Sequence, residues 1–352
     1  MISSGLCFLA GLRCPFFDPD CHSPWTTQKG AAHHVHGVDA DGVIVSRKVS
    51  RAKLLCLVEE LNPEIVAMEA CASSHYWGRL FQSAGREVRL INAYFVRPFV
   101  RGSKNDAVDA EAIWDAASRP TMRFVPVKTA DQQSLQSVHR VRDRLVHART
   151  SLINHMRGLM AEYGIVLPKG AKRFTSGAEE TIAAADLPPL ARDLFGELGD
   201  ELLDVDRRIA RVDAKLAAIC KENASCRRLM AMPGIGPVIA TALVAAVDDA
   251  RHFRSGRDLA AWIGLVPRQY TTGGKPKLGG IGRRANHYLR RQMVHGARAV
   301  ASHQRHRAGG RGDWIRALEA RRGFNKTVVA VANKMARAAW AMLVREEEYR
   351  AA

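Results

Sequence analysis

Apolar positions along this chain change their period several times, and each change predicts a different element. Residues 35–38 and 43–49 alternate as two short strands around the turn Asp39-Ala40-Asp41-Gly42. From residue 51 to 61 the spacing turns helical, with Leu54, Leu55, Val58 and Leu61 on one side, until Asn62-Pro63 stops it. Residues 64–68 form a compact apolar strand that delivers Glu69 at its C-terminal end. A helix over 75–84, a strand over 88–91 and an alanine-rich helix over 103–113 follow. Beyond them the steps lengthen into threes and fours. One series runs through positions 138, 141, 145, 148, 152, 156 and 159, and a second from Leu194 to Ile219. Two heptad-like helices joined by a loop at 164–189 predict an antiparallel coiled coil, either a helical spacer or a dimerisation arm. Near the C-terminus, Val328, Ala332, Met335, Ala339 and Met342 make one helical stripe.

The stretch SKNDAVDAEAI at 103–113 carries the first candidate chemistry. Asp106 and Asp109 are three apart on a predicted helix, so their carboxylates share a face, while Glu111 lies on another side. Acids in a first turn are common as a solvated helix start. Two carboxylates held close also repel unless a divalent metal sits between them. The order hairpin, helix, strand, helix, strand, acidic helix is one a ribonuclease-H-like fold uses, and it brings Glu69 beside Asp106 and Asp109. Strand ends are where open α/β sheets place functional groups.

Charge then narrows the partners. The 352 residues hold 53 Lys plus Arg against 35 Asp plus Glu, a net +18, which points to a polyanion, most simply nucleic acid. Seventeen of those cations fall in residues 251–322 against Asp258, Asp313 and Glu319, a local +14. Seven irregularly spaced cysteines suit free thiols in a reducing cytoplasm, not a disulfide framework. Cys7, Cys14, Cys21 and His22 match no usual zinc spacing. No apolar run reaches the roughly 18 residues of a membrane span, and residues 6–12 make a poor signal peptide.

Two glycine-rich stretches fall in the basic region. Pro233-Gly234-Ile235-Gly236 lies between two helices with Pro237 opening the second. That helix-hairpin-helix pattern can aim free N–H groups of Gly234 and Gly236 at a phosphate; the plain alternative is a tight helix connection. Thr271 and Thr272 sit in a predicted loop with Gly273 and Gly274, followed by Lys275, Lys277, Arg283 and Arg284. A hydroxyl there is placed to attack phosphorus, and the bland reading is a flexible basic loop.

The succession MEACAS, LINAYFVRPFVRGSKNDAVDAEAI, MRFVPVK, PGIGP, GLVPRQYTTGGK and HGARAV resembles the insertion-sequence transposases of the "IS-one-ten" family, the DEDD transposases related to Piv-type DNA invertases. The likeness spans about residues 35–346. It implies an α/β plus all-α architecture: a RuvC-like domain over 35–128, a coiled-coil arm over 129–225 and a helical C-terminal transposase domain over 226–348. It implies Mg²⁺ in a two-metal site held by Glu69, Asp106 and Asp109, with Thr272 at the family's serine as nucleophile. It further implies DNA as substrate, a structured non-coding guide RNA, a homo-oligomer, no membrane partner and a bacterial, cytoplasmic, nucleoid-associated setting.

Two departures qualify that likeness. The family's first acid ends a Gly-Ile-Asp-x-Ala-Lys strand, and this chain has no aspartate over 28–34. Residues 1–34 read as an atypical leader with no clear element, of a kind a frameshift or displaced start would produce. The 35–128 domain is then expected to lack its first strand, leaving residues 35–38 as a bare sheet edge, with Asp39 either standing in for the lost acid or not. The other departure is Thr for Ser, with Thr271 and Thr272 both open as nucleophile. A catalytically degenerate nucleic-acid-binding remnant and a Holliday-junction-type nuclease using water are the rival expectations.

Overall fold

The computed structural model describes residues 5–9, 32–39, 42–102, 105–167, 169–282 and 285–349. The chain forms two compact units, Met1–Ala130 and Asp131–Ala352.

The first unit is a six-stranded mixed sheet with helices on both faces. Its strands are β1 (Gly5–Leu9), β2 (Ala32–Asp39), β3 (Gly42–Ser50), β4 (Ile65–Glu69), β5 (Glu87–Ile91) and β6 (Phe124–Val125), in the spatial order β3-β2-β1-β4-β5-β6. The predicted hairpin is present: the Gly42 N–H donates to the Asp39 carboxylate at 3.1 Å, and Gly42 takes the φ of +127° that glycine tolerates best. The helices are α1 (Leu54–Leu61), α2 (Ser74–Ser83), the short α3 (Ala93–Val96) and α4 (Asp106–Ala117). Asn62 ends α1 in the left-handed region, and the Asn105 side chain caps α4 by accepting from the Val108 N–H at 2.8 Å. The two-residue period of β4 divides its side chains between two cores. Val66 and Met68 pack with Leu54, Leu57, Trp77 and Phe81, whereas Ala67 packs with Ile91, Ala112, Ile113 and Ala116. This architecture is consistent with the ribonuclease-H-like expectation.

Residues 5–9 correct the expectation of a leader without structure and of a sheet missing its first strand. β1 lies between β2 and β4, parallel to the one (Gly5↔His34 to Leu9↔Val38) and antiparallel to the other (Leu6↔Met68 to Leu9↔Ile65). Residues 35–38 are therefore no sheet edge. Without a strand in that gap, two rows of backbone donors and acceptors would go unpaired. The apolar run GLCFL suits the place. Cys14, Cys21 and His22, the other leader residues singled out in the sequence, lie outside the described residues. Cys56, Cys71, Cys220 and Cys226 are free thiols.

The second unit opens with α5 (Ala130–Ala161), α6 (Ala171–Ala184) and α7 (Pro189–Glu222). α5 and α7 run antiparallel, joined by the ion pairs Arg142–Asp213 at 2.5 Å and Arg149–Asp206 at 3.0 Å and by Leu145 against Val205 and Ile209. The stretch between them is not simply a loop. Phe174, Ala178 and Ile182, at helical spacing, pack α6 onto Leu152, Met156 and Phe195.

A helical bundle completes the unit, built from α8 (Ala224–Met230), α9 (Pro237–Val247), α10 (Gly256–Ile263), α11 (His287–Gln304), α12 (Gly310–Arg322) and α13 (Phe324–Arg345). The predicted α13 stripe is its centre, with Val328, Ala332, Met335, Ala339 and Met342 all buried. α13 is the one helix, among the described residues, long and apolar enough by composition to cross a membrane; in this chain that apolarity serves the core. One close contact between its elements is backbone on backbone. A Cβ on Gly296 would lie 2.1 Å from the Gly234 carbonyl oxygen. Between strands β7 (Pro267–Thr272) and β8 (Lys275–Ile281), a separate two-stranded antiparallel sheet projects from this bundle.

One buried polar pair ties α5 to α11: His139 Nδ1 lies 2.9 Å from the Tyr288 hydroxyl. Burial, helped by the Arg142 guanidinium, pushes His139 down to about 4, and burial pushes Tyr288 up to about 12.

Two outcomes follow for stability. Gly296→Ala forces α11 away from the 233–236 loop and is expected to cost roughly 1–3 kcal/mol, read as a lowered melting temperature. His139 stays neutral in the fold down to a pKa of about 4 but protonates near 6.5 when unfolded. Stability is thus intact above pH 6.5 and falls as the pH drops from there toward 4, by an amount on the order of 3 kcal/mol. Melting curves of His139→Gln between pH 7 and 4 should show a flatter acid limb than the parent; equal slopes would refute the assignment.

Candidate active site and nucleic-acid interface

Glu69 ends β4, and the register of β1 brings it level with Gly5 and hence with His34 on β2. Asp106 and Asp109 occupy the first turn of α4. The Asp106 charge acts on His34, opposing the lowering of that imidazole by burial. The three predicted acids therefore belong to one end of the sheet. Asp106 is already partnered there, its carboxylate 3.5 Å from the Lys48 ammonium. Burial lowers the His36 pKa, opposed by the charges of Glu111 and Asp115. Beside Glu69, the Cys71 thiol is pushed up, first by burial and then by the Glu69 charge.

These side chains do not make a metal cage as they stand. Among the described residues no three His, Cys, Asp or Glu side chains are grouped to hold an ion. The strand between β2 and β4 is GLCFL, which carries no carboxylate. Asp39 does not fill the gap. It lies five residues along β2 from His34, roughly 17 Å at about 3.3 Å per residue, at the opposite end of the sheet. Its side chain serves the hairpin turn. His34, His36 and Lys48 are site neighbours that the sequence reading missed. The signal was their two-residue spacing, His34 with His36 on one strand face and Lys48 in register with His34.

In the second unit, the residues between α8 and α9 use their glycines unequally. Gly234 has φ +87°, and a Cβ there would meet Val300 at 2.5 Å and the Gly296 carbonyl at 2.8 Å, so this glycine is spent on packing. Gly236 caps α9 ahead of Pro237, and space beyond its Cα is open. Of the two glycines read as phosphate-facing, Gly236 has the room.

The predicted glycine-rich loop is a hairpin instead. Gly273 and Gly274 both take positive φ, +56° and +74°, which closes a two-residue turn matching strand twist. Thr272 pairs with Lys275, Thr271 with Pro276, Tyr270 with Lys277 and Gln269 with Leu278. Paired residues share a face and neighbours alternate, so the two threonines part company. Thr272 stands with Tyr270, Lys275 and Lys277, and the Arg268 guanidinium lies 5.8 Å from the Tyr270 ring centroid. Thr271 stands with Gln269, Pro276 and Leu278, and its hydroxyl accepts from the Gln269 amide at 2.8 Å. Every residue of both strands is exposed. Arg283 and Arg284 lie outside the described residues. Arg268 and Tyr270 went unread because only strand alternation, not loop composition, puts them beside Thr272.

Comparison with known proteins fits these features. Residues 30–165 match the family model of the DEDD transposases of the IS110 group, described as Transposase, and residues 226–310 match the model described as Transposase IS116/IS110/IS902 family. The chain is 48% identical over 320 residues to a "Probable family 20 transposase" of Pseudomonas aeruginosa, covering 90% of this chain and 95% of that protein. It is 43% identical to the "Transposase for insertion sequence element IS1111A" of Coxiella burnetii, covering 89% and 87%. Against the "Transposase for insertion sequence element IS1328" of Yersinia enterocolitica the identity is 38%, covering 87% and 92%.

If the cationic face of the hairpin meets phosphate, Lys275→Ala with Lys277→Ala should weaken DNA binding across sequences. The slope of log K against log salt should fall by about two, since each phosphate contact contributes about 0.9. Unchanged salt dependence in a titration from 50 to 200 mM would remove these lysines from the interface.

Proposed function

The chain belongs to the IS116/IS110/IS902 transposase family, whose members transfer DNA strands, and from that premise we propose that Thr272 is the attacking hydroxyl. The supporting observation is the division of the hairpin into two faces. Thr272 shares its face with Lys275, Lys277, Tyr270 and, through the Tyr270 ring, Arg268, with no carboxylate among them. Thr271 faces the other way and is engaged by Gln269. Attack by Thr272 Oγ1 forms a P–O bond to the scissile phosphate as the bond to the departing DNA oxygen breaks. The hydroxyl proton passes to solvent, and the leaving oxygen takes one up. A hydroxyl on a second DNA end then displaces threonine, so the count of phosphodiester bonds is conserved. Lys275 and Lys277 stabilise the charge that builds on the equatorial oxygens. The methyl of threonine crowds this attack relative to serine without removing the nucleophile.

DEDD transposases are associated with divalent metal, and Glu69, Asp106 and Asp109 have the hard oxygen donors that suit Mg²⁺. The acid-free β1 and the Lys48–Asp106 pair argue that a two-metal site is incomplete in this polypeptide. We expect this chain to bind DNA well and cleave it weakly. A structured guide RNA and a homo-oligomer joined through α5 and α7 belong to the same proposal, the first supported by the +18 charge. Exposed Leu190 and Leu194 on α7 support the second.

The deciding experiment looks for a covalent protein–DNA adduct on a nicked substrate under denaturing conditions. It uses the chain as given and a variant whose residues 1–33 are replaced by a family-like strand ending in Gly-Ile-Asp. The variant should form more adduct, Thr272→Ser should preserve it, Thr271→Ala should leave it, and Thr272→Ala should abolish it. Adduct that survives Thr272→Ala would refute the nucleophile, and cleavage without adduct would favour a water-using nuclease.

A further inference from the structure

We propose that the second unit holds a pocket for one unpaired nucleotide of a nucleic-acid strand, its base against aromatic rings and its phosphate among cations. This rests on the reading of the chain as a DNA-acting protein and adds to it a site that the hairpin chemistry does not use.

A cavity of about 840 Å³ opens among α10, α12 and α13, within the size range of small-ligand sites. Arg257, Arg311, Lys334 and Arg337 line it, and no carboxylate does. Elsewhere in the unit, acids neutralise arginines: Arg228 pairs with Glu346, Arg251 with Asp249, Arg305 with Glu319 and Arg316 with Asp313. Among the described residues, none of the four lining cations has such a partner. A cluster of like charges around a concavity concentrates anions there.

Cations alone would fit any anion; the rings narrow the choice. Trp314, Trp340 and Tyr349 also line the cavity. The Lys334 ammonium lies 4.1 Å from the Trp314 ring centroid, so that ring is within reach of an exposed, movable group. The Arg311 guanidinium lies 5.7 Å from the Tyr349 ring centroid and donates to its hydroxyl. The Trp340 indole N–H donates to the Ala250 and Phe253 carbonyls at 3.0 and 3.2 Å, which fixes the ring and uses its one donor. What Trp340 adds to the cavity is therefore apolar ring surface. Buried Ile315, Val331 and Met335 form an apolar floor. Apolar depth, aromatic walls and a cationic rim together are the chemistry of a nucleobase with its phosphate. Met232 and Pro233 also line the cavity, so it adjoins the residue 233–236 connection, where a strand held at the open side of Gly236 can offer a base.

The test uses the full chain and a single-stranded DNA of about a dozen nucleotides carrying one 2-aminopurine, with the same sequence as RNA and AMP alone as comparison arms. Binding should quench the 2-aminopurine emission at particular positions in the strand. Trp314→Leu should remove that quench and weaken binding about tenfold, within the range for loss of one stacked base, with its melting temperature and salt slope unchanged. Trp314→Phe should restore both. Lys334→Ala with Arg337→Ala should instead lower the salt slope by about two. Equal quenching by RNA supports the site and widens its source. Wild-type binding without quench, or a quench that Trp314→Leu leaves intact, overturns the pocket while the transposase reading stands. Quenching of Trp314 by AMP with none from either strand overturns it in favour of a free nucleotide. Absence of any salt-dependent DNA binding overturns both.

Discussion

Backbone hydrogen bonding inside the sheet is the constraint from which the first unit follows. β2 and β4 each need a neighbour on their inner side, and that need can be met by any apolar segment with free peptide groups. Gly5–Leu9 meets it while running parallel to β2 and antiparallel to β4. With the gap filled, β4 keeps its alternation between two cores, and α4 can lie across the sheet with its acids at the Glu69 end. Folding therefore asks only for backbone and apolar bulk at that position. The two-metal reading would also ask for a carboxylate there, and GLCFL has none.

Most of the architecture was legible in the sequence because periodic burial writes itself into the order of residues. The β2–β3 hairpin, Glu69 at a strand end, the first-turn acids and the α13 stripe all rest on local spacing. Three features were not legible, each for a physical reason. β1 depends on pairing with strands distant in sequence, which no local period reports. α6 has a narrow stripe of Phe174, Ala178 and Ile182 and no capping side chain, so its helical signal is weak. Gly234 looks like a phosphate-facing glycine, yet its neighbour is Gly296, 62 positions later, a contact that only the fold reveals.

The candidate site shows the same division between local and long-range information. Residue types were readable: acids, a hydroxyl, lysines and glycines. Their sides were not. Composition treats Thr271 and Thr272 alike, whereas a two-residue turn sends one toward lysines and the other toward Gln269 and Leu278. Likewise His34, His36 and Lys48 become neighbours of the acids only when β2 and β3 are laid beside α4. The family relationship gives DNA as what the chain acts on, and the geometry of each unit places the candidate residues.

The hairpin between β7 and β8 has no residue in any core. Side chains along it answer to the turn and to whatever they touch from outside, and to nothing beneath them. Such a ribbon is nearly silent in the folding free energy, so mutation can rewrite it position by position without risk to the bundle that carries it. Packing places little constraint on those thirteen strand positions. The hairpin's surface can therefore vary freely, while the buried stripe of α13 holds the scaffold constant.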